Sequence, residues 1–217
     1  MPVASRSSQH PAEAARPGSG MKIAGLVLAA GGGSRFGRPK AEVTIGGRRM
    51  VDLAIDSCVG AGLSPVVVVL GAVWLTPMPR TAAPGHDVAE IWLVENTRWA
   101  TGLASSLQAG LAALEGEPGV DAVVLTLVDT VSVGVDHLRR VGSAVRDGAT
   151  AAVATYGGLP RTPAGLTREV WEEVAKTAEG DQGARVWLRS NPGRVTSVDC
   201  DDLGPWVDID TPENLPG

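Results

Sequence analysis

The sequence predicts an α/β protein of three layers, with a mostly parallel central sheet and a small antiparallel C-terminal addition. Three observations predict it. Four short apolar runs are rich in β-branched residues and lack polar alternation, as strands buried on both faces do. Stretches with helical spacing fall between runs, and strand–helix–strand order implies parallel crossovers. The last third of the chain is less regular and offers shorter strands and helices.

The first run is "KIAGLVLAA" (22–30). A helix over 48–62, "RRMVDLAIDSCVGAG", follows, with Gly60 and Gly62 as C-cap candidates. "PVVVVLGA" (65–72) and "EIWLVEN" (90–96) are the second and third strands. A helix "SSLQAGLAALEG" (105–116) leads to the fourth strand, "DAVVLTLVD" (121–129), and "VDHLRRVGSAVRDG" (135–148) is again helical. Then come a strand "TAAVATYGG" (150–158), an irregular "PRTPAG" (160–165), helices near 168–177 and 181–190, and strands "RVTSVDC" and "WVDID". These last pieces read as an antiparallel addition to the same sheet. No linker-like composition divides the chain, so 21–217 is expected to form one domain. Residues 1–20, "MPVASRSSQHPAEAARPGSG", have no apolar core for a secretory signal and read as a disordered leader, with Met21 a candidate start of the folded part.

The bulk numbers exclude several classes. With 217 residues, 44% hydrophobic, 20% charged and a net charge of −5, the chain has the composition of a soluble globular protein. An acidic balance argues against nucleic acid as a partner, which leaves a basic footprint. No apolar stretch reaches the roughly 18 residues of a membrane helix, so no membrane partner is expected. Cys58 and Cys200 form no CxxC pair and suit a reducing, cytoplasmic setting. His10, His86 and His137 show no metal spacing, and His137 is expected on a helix surface. Trp171 and Trp187 fall at core-like helix positions, while Trp99 is expected to pack the loop that carries Gly102.

The chemistry concentrates in "LVLAAGGGSRFGRPK" (26–40). A dinucleotide-binding G-x-G-x-x-G counted from Gly31 would need glycine where Phe36 stands, and the second strand ends without the ribose-binding acid. A P-loop has its G-x-x-x-x-G from Gly32 to Gly37, but Arg38 replaces the lysine and Lys40 precedes Ala41. Phosphate chemistry still fits. Gly31, Gly32 and Gly33 let backbone N–H groups approach a ligand, Arg35 can fork two phosphate oxygens, and Lys40 adds a point charge. A glycine turn flanked by two solvated cations would have the same sequence. The loop nonetheless ends the first strand, where open α/β sheets bind ligands.

The same segment resembles the L-A-A-G-x-G-x-R-[MF]-G-x-x-K signature of the MobA-like nucleotidyltransferases, closest to the molybdenum cofactor cytidylyltransferase branch. "ENTRWATGLASSLQAGLAAL" (95–114) resembles that branch's N-x-x-W-x-x-G-x-x-S-S-L-x-x-G segment. "LTLVD" (125–129), "GDQGARVWLRSNPGRV" (180–195) and "VDIDTPENL" (207–215) match further segments in order. The resemblance covers roughly 22–215 and implies a Rossmann-like nucleotidyltransferase fold. It also implies a Mg2+-dependent transfer of NMP from an NTP to an acceptor phosphate, with release of pyrophosphate.

On that resemblance Arg35, Lys40 and Asp129 are the catalytic candidates, and Asp129 and Asp208 the metal ligands, with Asp210 as the alternative. Asp208 and Asp210 would share one face at strand spacing, and either Asp210 or Thr211 could instead cap the turn at Pro212. Leu28, Ala29, Ala30, Gly31, Gly32, Gly33, Arg35 and Lys40 would bind nucleotide. Gly102, Ser105 and Ser106 open a helix whose free N–H groups suit a nucleobase or ribose, though serine there also serves as an ordinary N-cap. The "LAAG" form favours CTP over GTP. The implied acceptor is of molybdopterin type, with a molybdoenzyme or its maturation factor as a further partner. Two departures lie on the acceptor side: "TVSVG" follows Asp129 where Gln-Pro is usual, and Arg161–Thr162 stand in place of Gly-His before Pro163. The alternatives are GTP or another acceptor, a non-catalytic maturation protein, and, against the glycine spacing, a nicotinamide-dependent oxidoreductase.

Overall fold

Period-two alternation within the apolar runs decides the architecture. The structure, a computed structural model, describes residues 20–78 and 90–215. Of residues 1–20, expected to be a leader, only Gly20 falls within them; His10 and His86 lie outside the described residues. In chain order the elements are β1 (Ile23–Leu28), β2 (Thr44–Ile45), β3 (Arg48–Arg49), α1 (Met50–Gly60), β4 (Val66–Leu70) and β5 (Ile91–Glu95). They continue with α2 (Leu103–Glu115), β6 (Ala122–Leu127), α3 (Val135–Arg146), β7 (Ala151–Tyr156), β8 (Leu159–Thr167), α4 (Trp171–Thr177), α5 (Arg185–Ser190) and β9 (Val195–Asp199).

Seven strands form one sheet in the order β5-β4-β1-β6-β8-β7-β9, and β2 and β3 form a separate hairpin. β1 pairs parallel with β4 and β6, β4 with β5, and β7 with β9; β8 alone runs antiparallel, between β6 and β7. Alternate residues enter two cores. Ile23 and Val27 of β1, with Val66 and Val68 of β4, face α1 and α3 through Met50, Ile55, Leu138 and Val141. Ala24, Leu26 and Leu28, with Val67 and Val69, face α2, α4 and α5 through Leu107, Leu111, Trp171 and Trp187. The result is the three-layer arrangement the sequence predicts. Burying both faces is what the β-branched runs are for.

Four features depart from the sequence reading. "PRTPAG" is no loop but the start of β8, which carries a register shift opposite Val153 and Ala154. That shift falls at Thr162–Pro163, where proline has no N–H to give a ladder. "WVDID" is not a strand. Residues 204–210 form an extended strap held by isolated bonds, Val207 N to Ser132 Oγ (2.8 Å) and Ile209 N to the Asp129 carbonyl (3.0 Å). His137 is not on the surface: it is buried, its ring stacks on Tyr156, and its Nδ1 accepts the Gly134 N–H at 3.2 Å. The hairpin was not anticipated, because two-residue strands carry no periodicity; its Gly46-Gly47 turn, both at positive φ, was the available signal.

Candidate active site

Leu28 and Leu127 face each other in the ladder of β1 and β6, so the glycine loop and Asp129 leave the sheet side by side. Gly33 holds the loop's turn at φ +63°, where a Cβ would sit 2.0 Å from the Arg38 carbonyl oxygen. No other residue satisfies both demands. Gly37 N donates to the Gly33 carbonyl at 2.8 Å, closing the loop. Among the described residues, no backbone carbonyl accepts from the N–H groups of Gly31 through Arg35. Five consecutive donors thus remain for a ligand.

The loop lines one wall of a cavity of about 580 Å³. Leu28, Ala30, Gly31, Gly32, Gly33, Arg35 and Lys40 lie on it, as do Gly102, Ser106, Asp129 and Asp210. Residues remote in sequence are thus brought together by the sheet edge and the strap. Ala29 instead joins the core under the sheet. Ser105 is buried and committed elsewhere, its hydroxyl bonded to the Gly102 and Arg98 carbonyls and to Asn96 Nδ2. Asp208 does not line the cavity, while Asp210 does. With no ladder along the strap, strand alternation does not fix where these two carboxylates point.

Lys40 is the hub. Its Nζ lies 2.8 Å from Asp129 Oδ2 and 2.7 Å from Asp210 Oδ1, and Arg35 holds Asp210 Oδ2 at 2.8 Å. Burial disfavours the Lys40 ammonium, but its bonds and charge contacts with Asp129 and Asp210 outweigh that and raise its pKa. The Lys40 bond also holds the Asp210 carboxyl below its ordinary range. Arg35, with 76% of its side chain exposed, can swing to a ligand at little cost.

Sequence reasoning missed Asp181 and the way Trp99 is used. Asp181 lines the cavity, and its Oδ1 accepts from Leu103 N at the start of α2 (3.3 Å). The Gly180 carbonyl takes Ala104 N at 2.9 Å and the Gly102 carbonyl takes Ser105 N. The N–H groups of Leu103, Ala104 and Ser105, expected to be free, are therefore spent inside the protein, while Ser106 lines the cavity with its Oγ accepting from Asn96 Nδ2 at 3.0 Å. "GDQG" followed by a helix pattern was the available signal, but its partner is remote in sequence. Trp99 closes the cavity against Gly32, whose absent Cβ would stand 3.0 Å from the ring.

Three carboxylates, Asp129, Asp181 and Asp210, face two cations in the cavity. Among the described residues, no cluster of three or more His, Cys, Asp or Glu could cage a metal. Asp129 and Asp210 nevertheless already converge on one cationic nitrogen. This donor set fits a hard divalent ion that takes one or two carboxylates and completes its shell from water and phosphate oxygens.

A glycine loop with unspent donors, beside carboxylates at the C-terminal edge of a parallel sheet, defines an enzyme that handles nucleotide phosphates. The MobA-like NTP transferase domain model matches residues 25–195, and the chain belongs to that family; its class is nucleotidyltransferase. Nicotine blue oxidoreductase of Paenarthrobacter nicotinovorans is 33% identical over 201 residues, covering 89% of this chain and 94% of that one. The crystal structure of Rv0371c from Mycobacterium tuberculosis H37Rv superposes with a TM-score of 0.71 at 25% identity, covering 90% of this chain and 96% of that one. The manganese complex of Rv0371c matches with a TM-score of 0.67, at the same identity and coverage. No helix among the described residues is long and apolar enough to cross a membrane.

Proposed function

We propose that the chain transfers CMP from CTP to a phosphorylated acceptor of molybdopterin type, in the cytoplasm, with magnesium as the cofactor and 21–217 acting as one unit. The observation that carries this reading is the run of free N–H groups from Gly31 to Arg35 beside the Lys40–Asp129–Asp210 cluster. A triphosphate laid on the loop takes those donors, with Arg35 and Lys40 on its outer phosphates. An acceptor phosphate oxygen then attacks the α-phosphorus. The bond from that phosphorus to the bridging oxygen breaks, and pyrophosphate leaves with the electron pair. The acceptor phosphate is already ionised near neutral pH, so no base has to remove a proton. Positioning and charge compensation supply most of the rate in such transfers. Asp129 and Asp210 would hold the magnesium ion, which supplies charge neutralisation at the phosphates when bound. The preference for CTP rests on the "LAAG" form of residues 28–31.

Pyrophosphate release, measured with each NTP and with or without molybdenum cofactor, tests the reading. CTP with cofactor should give turnover that Asp129→Ala abolishes while its melting temperature stays near wild type. GTP turnover would reassign the nucleotide, and turnover with another phosphate ester would reassign the acceptor. No release under any pairing would favour a nucleotide-binding maturation protein for a molybdoenzyme. A second reading, reduction of a pigment such as nicotine blue, is favoured by the name of the relative at 33% identity. Oxidation of NADH or NADPH in the presence of nicotine blue would establish it.

A further inference from the structure

Asp129 and Asp210 meet at Lys40, but they are mounted differently. Asp129 follows β6 directly, and the turn beyond it is fixed. Thr130 is buried, its N–H and its hydroxyl both donate to the Leu127 carbonyl (3.3 and 2.8 Å), and Val133 N donates to the Thr130 carbonyl at 3.0 Å. Asp210 sits on the strap, which has no ladder. Its carboxylate is held by Lys40 on Oδ1 and Arg35 on Oδ2. Those are the two cations that a triphosphate would claim. Once they turn to phosphate, Asp210 keeps its place only if the strap backbone is fixed by something else.

From Pro205 to Asp210, backbone hydrogen bonds among the described residues fall at Val207 and Ile209 alone. Ile209 N reaches the Asp129 carbonyl, and Val207 is met by one side chain, Ser132. The Ser132 Oγ accepts the Val207 N–H at 2.8 Å and donates its own hydrogen to the Val207 carbonyl at 3.3 Å. A single hydroxyl thus meets both polar groups of one residue, as the opposite residue of an antiparallel pair would. Both attachments lead to the loop after β6, two residues apart, which is the spacing of an extended chain. Two such points stop the strap from turning about its own axis, where one would let it swivel. Burial secures Ile209, which is 0% exposed, but adds little at Val207, which is 39% exposed. Trp206 leans toward β8 through its side chain, to Thr162 Oγ1 (3.4 Å) and the Arg161 guanidinium.

We propose that Ser132 is a positioning residue: by clasping Val207 it keeps Asp210 in the divalent-ion site after the triphosphate has drawn Arg35 and Lys40 away. Its effect is conditional on nucleotide. With the loop empty, the two cations hold Asp210 whether or not Ser132 does; with the loop filled, the clasp and Ile209 are what remain. The inference rests on the transferase reading, since it needs a triphosphate on the glycine loop. Ser132 belongs to "TVSVG" (130–134), one of the two stretches where the sequence departs from the pattern it resembles.

The test is calorimetry on the full chain with manganese and α,β-methylene-CTP, an analogue that cannot release pyrophosphate. With the analogue bound, Ser132→Ala should bind manganese about tenfold more weakly than wild type, the weight of one or two hydrogen bonds. Ser132→Thr, which keeps the hydroxyl, should bind it as wild type does. Without the analogue, Ser132→Ala and wild type should bind manganese alike. The melting temperature and the affinity for the analogue in the absence of metal should stay near wild type. Equal manganese affinity in Ser132→Ala and wild type with the analogue bound overturns the proposal and leaves the transferase reading standing. So does an equal loss with and without the analogue, accompanied by a lower melting temperature, which would make Ser132 a structural tie only. No analogue binding by wild type removes both the proposal and the transferase reading.

Discussion

Lys40 sets the state of the site. Its ammonium sits where two carboxylates converge, at hydrogen-bond distance from both. A divalent ion and a triphosphate would each demand a change there: the ion claims the carboxylates, and the phosphates claim the lysine. Lys40→Ala should raise the KM for CTP, and it should tighten manganese binding in the absence of nucleotide by about tenfold, roughly 1.4 kcal/mol. Steady-state kinetics and calorimetry with manganese check the two halves. A variant with unchanged KM and unchanged manganese affinity would reduce Lys40 to a surface cation. Arg35 and Lys40 were legible in the sequence as cations trailing the glycine loop, and Asp129 as the residue that ends an apolar run. Asp181 was not, because its bond to Leu103 N joins residues 78 apart in the chain.

Among the elements, α3 carries a pH-sensitive start. His137 accepts the Gly134 N–H through Nδ1, which only an unprotonated nitrogen can do. Burial lowers its pKa, the nearby Arg140 lowers it further, and Asp136 and Asp202 only partly oppose them. The ring also stacks on Tyr156. In the unfolded chain His137 takes up a proton near pH 6.5, whereas in the folded protein it does so only at lower pH. The unfolded state thus binds more protons between those two values, and stability falls as pH drops through them. Urea midpoints at pH 7 and pH 5 should show this loss, and His137→Gln should reduce it. An equal slope in the variant would show that His137 does not contribute. Helix periodicity found α3 within a residue or two. It could not find that the face bearing His137 lies under β7, since that depends on β7 pairing with β8 and β9 across the sheet.

On the scale of the whole molecule, the strap is what completes the site. Ile209 is fully buried in the core beneath the sheet, and its N–H bonds the Asp129 carbonyl. That anchor places Asp210 against Lys40 and Arg35. Ile209→Ala should cost about 2–5 kcal/mol of stability, as large-to-small core changes do. It should also cut turnover more than a remote core change of equal cost, because Asp129 and Asp210 both lose their support. Denaturant titration and pyrophosphate release, run beside Ile55→Ala in α1, separate the two effects. Equal activities in the two variants would deny the strap its role. Ile55 is equally buried but lies away from the cavity.

By itself the sequence determined the three layers, the mostly parallel sheet and the loop that ends β1, since burial on both faces and glycine placement are local patterns. It also placed Asp129 at the sheet's edge, because a carboxylate cannot continue an unpaired apolar run. Only the tertiary structure decided that Asp210 and not Asp208 lines the cavity, that the α2 N-terminus is capped from 180–181, and that Ser132 clasps the strap. Each of those depends on segments far apart in the chain meeting through single hydrogen bonds, and no periodicity records such a meeting.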